Sequence, residues 1–183
     1  MITFDSVVLK KHLKRALACV STDQDYRSCI MFDGPNGKIV ATDGYVMYIG
    51  ETIVFPERLL IHHEILKQVE KQLDFKKHFI VEWDGDRITY LALSIQAKNQ
   101  IDKTKYPNYP EIMGLYTQDG EQITKRTFDT KVFSRVLSSL SFPDFELKFC
   151  PQPQDSENVS PCYIHIHDTE APGMFVVMPM EEK

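Results

Sequence analysis

Residues 7–20, VVLKKHLKRALACV, decide how this chain is read. Leu9, Leu13, Ala16, Leu17 and Val20 recur at helical spacing, while Lys10, Lys11, Lys14 and Arg15 fall as i, i+4 pairs on the other side. That spacing predicts a short amphipathic helix. After it come CIMFD, the Gly-Pro-Asn-Gly turn of residues 34–37, KIVATDG and YVMYIG, which predict short strands divided by turn residues. One unit is therefore strand, helix, three strands. The pattern repeats in LLIHHEILKQVEKQL (59–73), a predicted helix followed by HFIVEW, the hairpin turn Asp84-Gly85-Asp86, RITYLAL and a strand near 94–101. A third helix is predicted over DTKVFSRVLSSL (129–140), ahead of FELKFC, CYIHIHD and MFVVMPM. The fold class is α+β, with antiparallel sheets and one helix per unit.

Two prolines in YPNYP (106–110), followed by Gly114, disfavour continued regular structure and mark the best boundary. This gives a complete two-unit domain over 1–113 and a partial, one-unit domain over 114–183. A single unit is too small to bury its own apolar face, so units must pack on one another. Units one and two can do so together. Unit three has no fourth unit beside it, so its sheet edge should seek another surface, such as a second protomer.

Composition narrows the function. With 43% hydrophobic and 26% charged residues over 183 positions, the chain can bury a real core and is not disordered. No stretch approaches the roughly 18 apolar residues of a membrane helix, and MITFDSVVLKK lacks the apolar core of a signal peptide, so a cytoplasmic protein is expected. Cys19, Cys29, Cys150 and Cys162 form no CxxC pair, which points to reduced thiols and to neither a disulfide frame nor a zinc site. The net charge of −5 argues against nucleic-acid binding unless the cations are clustered. They are: no acidic residue stands between Ser6 and Thr22 around Lys10, Lys11, Lys14 and Arg15. Lys131 and Arg135 repeat the i, i+4 pairing on the third helix, and Lys67 and Lys71 do so on the second, diluted by Glu64 and Glu70. A solvated helix face is the ordinary reading of any one such helix; recurrence on three argues for a DNA-facing surface.

Several stretches resemble one known family, the bacterial DNA sliding clamp that serves as the beta subunit of DNA polymerase III. QDYRSCIMFD (24–33) ahead of ATDGYVMYI (41–49) resembles the start of the clamp's middle domain, and KYPNYPEIM (105–113) is similar to the aromatic-Pro signature that closes it. FDTKVFSRVL (128–137), VSPCYI (159–164) and FVVMPM (175–180) resemble the second half of the family's last domain. The resemblance implies a DNA-clamp fold in shortened form, lacking the first domain and half of the third. It implies a non-enzymatic processivity factor that needs no cofactor or metal, holds duplex DNA without regard to sequence, and tethers DNA polymerase and other proteins carrying short clamp-binding motifs. The unpaired third unit and its sheet edge lead to the expectation of a closed or nearly closed head-to-tail homo-oligomer, of three copies if the second domain is a shortened full domain and four if each chain supplies three of twelve units.

Carried over position by position, the family's peptide-docking pocket falls on Thr42, Gly44, Tyr45, Val46 and Met47, on Pro107 and Ile112, and on Asp129, Val132, Val159, Pro161, Val176, Val177, Met178, Pro179 and Met180. Methionine adapts to varied side chains and proline holds rigid walls, which suits a groove for short hydrophobic peptides. Plain core packing competes with this for Val176 and Val177. The chain departs from the family where Tyr45 and Val46 replace a basic pair and where Glu111, Glu181 and Glu182 stand near the rim. The more acidic rim favours peptides with a basic flank.

Catalytic motifs are missing: there is no GxSxG, P-loop, GxGxxG or HExxH. His165, His167 and Asp168 raise the alternative of a metal-dependent hydrolase, but an HxH without a well-spaced third ligand is usually structural, as is His62-His63. A further alternative is an adaptor or decoy that keeps the pocket without encircling DNA.

Overall fold

A computed structural model describes residues 2–23, 25–73, 78–84, 87–90, 95–98, 106–115, 128–140, 145–149 and 161–178. Unit one comprises β1 (Ile2–Asp5), α1 (Ser6–Leu17), β2 (Cys29–Asp33), β3 (Lys38–Thr42) and β4 (Val46–Glu51). Unit two comprises β5 (Arg58–His62), α2 (His63–Gln72), β6 (His78–Asp84), β7 (Arg87–Tyr90) and β8 (Ile95–Lys98). A short helix, α3 (Tyr109–Leu115), leads to unit three: α4 (Thr130–Ser139), β9 (Phe145–Phe149), β10 (Cys162–Ile166) and β11 (Gly173–Val177).

The strands form two antiparallel sheets, ordered β1-β6-β7-β8 and β5-β2-β3-β4-β11-β10-β9. Each of the first two units lends its lead-in strand to the other: β1 pairs with β6, and β5 pairs with β2. Helices α1 and α2 then pack side by side beneath the sheets, where Leu9, Leu13 and Ala16 of α1 meet Leu66 and Val69 of α2 in one apolar cluster. Each fully buried Leu or Val contributes about 1.5–3 kcal/mol relative to exposure. Asp5 starts α1 by accepting from the N–H groups of Val7 and Val8 at 2.9 and 3.1 Å, and Asp129 starts α4 the same way, from Lys131 and Val132 at 2.7 and 3.2 Å. Such a cap contributes about 1 kcal/mol by satisfying amides that the helix itself leaves open.

The large sheet is apolar on both sides. Val46, Tyr48, Phe175, Val177 and Ile164 face the helices, while Met31, Val40, Met47, Ile49, Tyr163 and Val176 face the opposite, outer side. That two-sided burial explains why CIMFD and YVMYIG read as unbroken apolar runs and not as alternating strands.

Two sequence expectations need correction. The helix expected from residue 59 begins at His63, because Arg58–His62 is drawn into a ladder with β2 and buries Leu59 and Ile61. The YPNYP segment is not free of regular structure: Tyr109–Leu115 is helical, and Pro110 is tolerated in its first turn, where a missing N–H breaks no helical bond. On its other side unit three joins unit one, since β11 pairs with β4 from Val46↔Val177 to Gly50↔Gly173 in a continuous sheet.

Candidate functional site

The Ala-Thr-Asp-Gly turn is built from its own side chains. Thr42 Oγ1 donates to the carbonyl of Val46 at 2.9 Å and accepts from Gly44 N–H at 3.1 Å. Asp43 Oδ1 accepts from Tyr45 and Val46 N–H at 2.9 and 3.0 Å, and Gly44 takes a positive φ of 95° that other residues rarely adopt. This geometry pushes Tyr45 outward to 67% exposure. Its carbonyl accepts from the N–H of Met178, itself 44% exposed, so the turn and the end of β11 meet.

Cross-strand register decides which of the expected pocket residues share a face. Thr42, Met47 and Val176 are direct partners across β3, β4 and β11, and Tyr163 continues the row on β10. α3 lies over this row, with Ile112 and Met113 packed against it. Three tyrosine hydroxyls pin the segment down. Tyr106 donates to the carbonyl of Val40 at 2.9 Å, Tyr109 to Asp33 Oδ2 at 2.8 Å, and Tyr163 to the carbonyl of Ile112 at 2.7 Å. Burial beside the Asp33 carboxylate pushes the Tyr109 hydroxyl up to about 12, so it stays protonated and donates.

Thr42, Met47, Ile112 and Val176 thus gather on the outer face, with Tyr45 and Met178 exposed at its end. Pro107 is half-buried in the same segment as Tyr106, and Pro161 is buried at the start of β10. Val46 and Val177 do not join them: both point to the helix side, as does Val132 of α4, and Asp129 is occupied in capping that helix. Val159, Pro179 and Met180 lie outside the described residues, as do Glu181 and Glu182. The sequence reading missed Tyr106, Tyr109, Met113, Tyr163 and Met174. Alternation within CYIHI places Tyr163 opposite Cys162 and Ile164, which is the signal that would have found it.

The expected basic face of α1 divides. Arg15 is 1% exposed and points inward, donating to Asp168 Oδ2 at 2.7 Å and to the carbonyl of Ala171 at 2.5 Å. Lys11 bridges Asp168 at 3.3 Å and Glu170 at 2.6 Å. The stripe of α1 carrying Lys11 and Arg15 therefore faces the β10–β11 hairpin, because that hairpin brings a buried carboxylate to it. Lys14 is exposed and Lys10 half-buried. On α2, Lys71 is exposed and Lys67 pairs with Glu64 at 2.8 Å; on α4, Lys131 is exposed and Arg135 pairs with Asp43. Asp168 is thus held by cations, while His165 sits across from Glu146 and Met174 in the sheet.

Beside Arg15, His12 Nδ1 lies 2.7 Å from the Tyr48 hydroxyl, with both rings buried. Burial first, and the Arg15 cation second, bring the His12 imidazole down to about 4, so it is neutral near pH 7. At Asp168 burial alone would raise the carboxyl, but the hydrogen bonds from Arg15, the Ala171 and Glu170 amides and Lys11 outweigh it and hold the group at about 2.

Lead-in strands exchanged between paired strand-helix-three-strand units, with α1 and α2 packed beneath antiparallel sheets, make this the DNA sliding-clamp fold. The solved structures it resembles include the DNA polymerase III beta subunit of Thermotoga maritima, at 14% identity and a TM-score of 0.71, over 100% of this chain and 65% of that one. The beta subunit from the DNA polymerase of Streptococcus pyogenes matches at 11% identity and a TM-score of 0.73, over 99% and 66%. The DNA polymerase III subunit beta of Pseudomonas aeruginosa, a sliding clamp bound to griselimycin, matches at 11% and 0.71, over 99% and 65%. The chain therefore spans just under two thirds of the length of these clamps, and at such identity the likeness is one of fold. No protein-family model and no curated protein sequence matches it. Among the described residues no helix is long and apolar enough to cross a membrane.

Proposed function

We propose that this chain is a clamp-like, non-enzymatic processivity factor of the cytoplasm, which docks short hydrophobic peptides of DNA-replication proteins and keeps them near duplex DNA as part of a homo-oligomer. The observation that carries the reading is the outer apolar row at the junction of units one and three, Thr42, Met47 and Val176 beneath Ile112, ending in exposed Tyr45 and Met178. Tyr45 and Met178, exposed at the end of this buried row, offer an aromatic and a methionine side chain to a short hydrophobic anchor. A peptide with such anchors and a basic flank should bind with a Kd near micromolar. Fluorescence anisotropy with a labelled peptide tests this: Tyr45→Ala with Met178→Ala should weaken binding at least tenfold, and unchanged affinity in a folded variant rejects the site.

A second reading, an adaptor that binds such peptides without encircling DNA, is favoured by one observation. Lys11, Arg15 and Arg135 are engaged with carboxylates of the neighbouring unit, which thins the cationic helix surface. The DNA titration described in the Discussion separates the two.

A further inference from the structure

Unit three repeats unit one closely enough to be compared residue by residue. Asp129 caps α4 as Asp5 caps α1, which puts Phe133 and Leu137 at the places of Leu9 and Leu13. Asp168 Oδ1 accepts from Glu170 and Ala171 N–H at 3.1 and 3.2 Å, two and three residues on, as Asp43 Oδ1 does in its own hairpin. Aligning these turns sets Ile166 and Ile164 of β10 on Ala41 and Ile39 of β3. Their cross-strand partners follow: Phe145 and Leu147 of β9 stand where Ile30 and Phe32 stand in β2.

The environments differ sharply. In unit one, Leu9, Leu13, Ile30 and Phe32 are 3%, 0%, 0% and 4% exposed, within a cluster that Leu59, Ile61, Leu66 and Val69 of unit two complete. In unit three, Phe145 and Leu147 are 37% and 42% exposed, and Phe133 and Leu137 are only partly buried. Among the described residues, no strand lies on the outer edge of β9, where β2 carries β5. Among the described residues, unit three therefore leaves open the surface that unit one closes with unit two.

We propose that a second copy of unit three covers this surface across a two-fold axis, so that α4 and β9 of two chains complete one domain as units one and two do within a chain. One observation chooses this occupant. The contact between units one and two joins two units of the same type by mutual exchange, so the surface is complementary to its own kind, as a two-fold interface requires. An open β edge with apolar side chains beside it is also a hazard that a soluble chain covers. This assembly does not depend on the peptide site, which lies on the outer face at the β4–β11 junction.

Multi-angle light scattering of the full chain tests the proposal. The mass should be an even multiple of the 21.2 kDa chain, two copies at least, and Phe145→Glu with Leu147→Glu should return it to a single chain with unchanged circular dichroism and unchanged peptide binding. A wild-type protein that stays at one copy at hundreds of micromolar, a three-copy assembly, or a folded double variant that still assembles would each overturn it. If the double variant unfolds, Leu147→Lys alone decides between the same outcomes. Loss of peptide binding with assembly intact would instead count against the docking site, so the two readings fail separately.

Discussion

Asp43 and Asp168 hold the same station in two hairpins, and each takes a cation from the helix of the other's unit. Asp43 in unit one is held by Arg135 of α4, and Asp168 in unit three by Lys11 and Arg15 of α1. Lys11 and Arg135 both stand six residues after the capping aspartate of their helix, so the exchange follows the internal repeat. The basic residues that look like a DNA surface in the sequence thus divide between two tasks. Those aligned with the neighbouring hairpin bind the units together, and the remainder point elsewhere.

The two latches should differ in strength. Arg15→Ala leaves the buried Asp168 carboxylate without its main partner and should cost about 3 kcal/mol, the usual penalty for breaking a buried ion pair. Arg135, whose side chain is 39% exposed, is screened by water, so Arg135→Ala should cost about 1 kcal/mol or less. Urea unfolding of the two variants measures the difference; equal losses would mean that burial does not set the strength of these pairs.

Acid should destabilise the protein in two stages. A neutral histidine held at about 4 resists the proton that the unfolded chain accepts near 6.5, so the His12 contribution is present above 6.5 and is lost as pH falls towards 4, about 3 kcal/mol in all. Asp168, depressed to about 2 from 3.8, contributes above 3.8 and loses about 2 kcal/mol as pH falls towards 2. His12→Asn should flatten the first stage alone. Thermal melts from pH 7.5 to 4 that fall as steeply in the variant would remove His12 from the account.

For DNA, the relevant cations are Lys10, Lys14, Lys71 and Lys131. If they face a duplex they contact phosphates, since a sliding protein cannot hold one base sequence. Changing all four to glutamate should abolish measurable binding, and each single change to alanine should lower the slope of log affinity against log salt by roughly one. Identical slopes in wild type and variants would favour the adaptor reading. Lys11 and Arg15 do not belong in this test, because their loss would loosen the latch on Asp168.

The tyrosine hydroxyl that bonds α3 from below should matter to docking without touching a peptide. Tyr163→Phe removes the 2.7 Å bond to the Ile112 carbonyl and should weaken peptide binding two- to fivefold, corresponding to about 0.5–1 kcal/mol, with little change in unfolding. Calorimetric titration of the variant checks it; full affinity would show that this bond is not needed to position α3.

The repeated helices and short strands were legible in the sequence because their signals are local: apolar spacing in 7–20 and 129–140, and turn chemistry at Gly34 and Gly44. The β4–β11 ladder was not, since no local pattern names a strand's partner, and that pairing makes the sheet two-faced and splits Val176 from Val177. Motif resemblance gathered both valines into one pocket, whereas alternation along a strand separates them. Arg15 was misread for a related reason. It lies 100° further round the helix from Lys14, and only the distant Asp168 turns that stripe into an interior one.

The β4–β11 ladder also has a consequence for synthesis on the ribosome. Strand β4 ends at Glu51 and β11 begins at Gly173, so about 120 residues must be added before the partner strand exists, on the order of ten seconds at ordinary translation speed. Throughout that interval the nascent chain carries a strand, Val46–Glu51, paired with β3 on one edge and bare on the other, with Tyr48 on one face and Met47 and Ile49 on the opposite one, at what will become the middle of its largest sheet. The yield of folded protein will be governed by what shields that edge until the ladder closes.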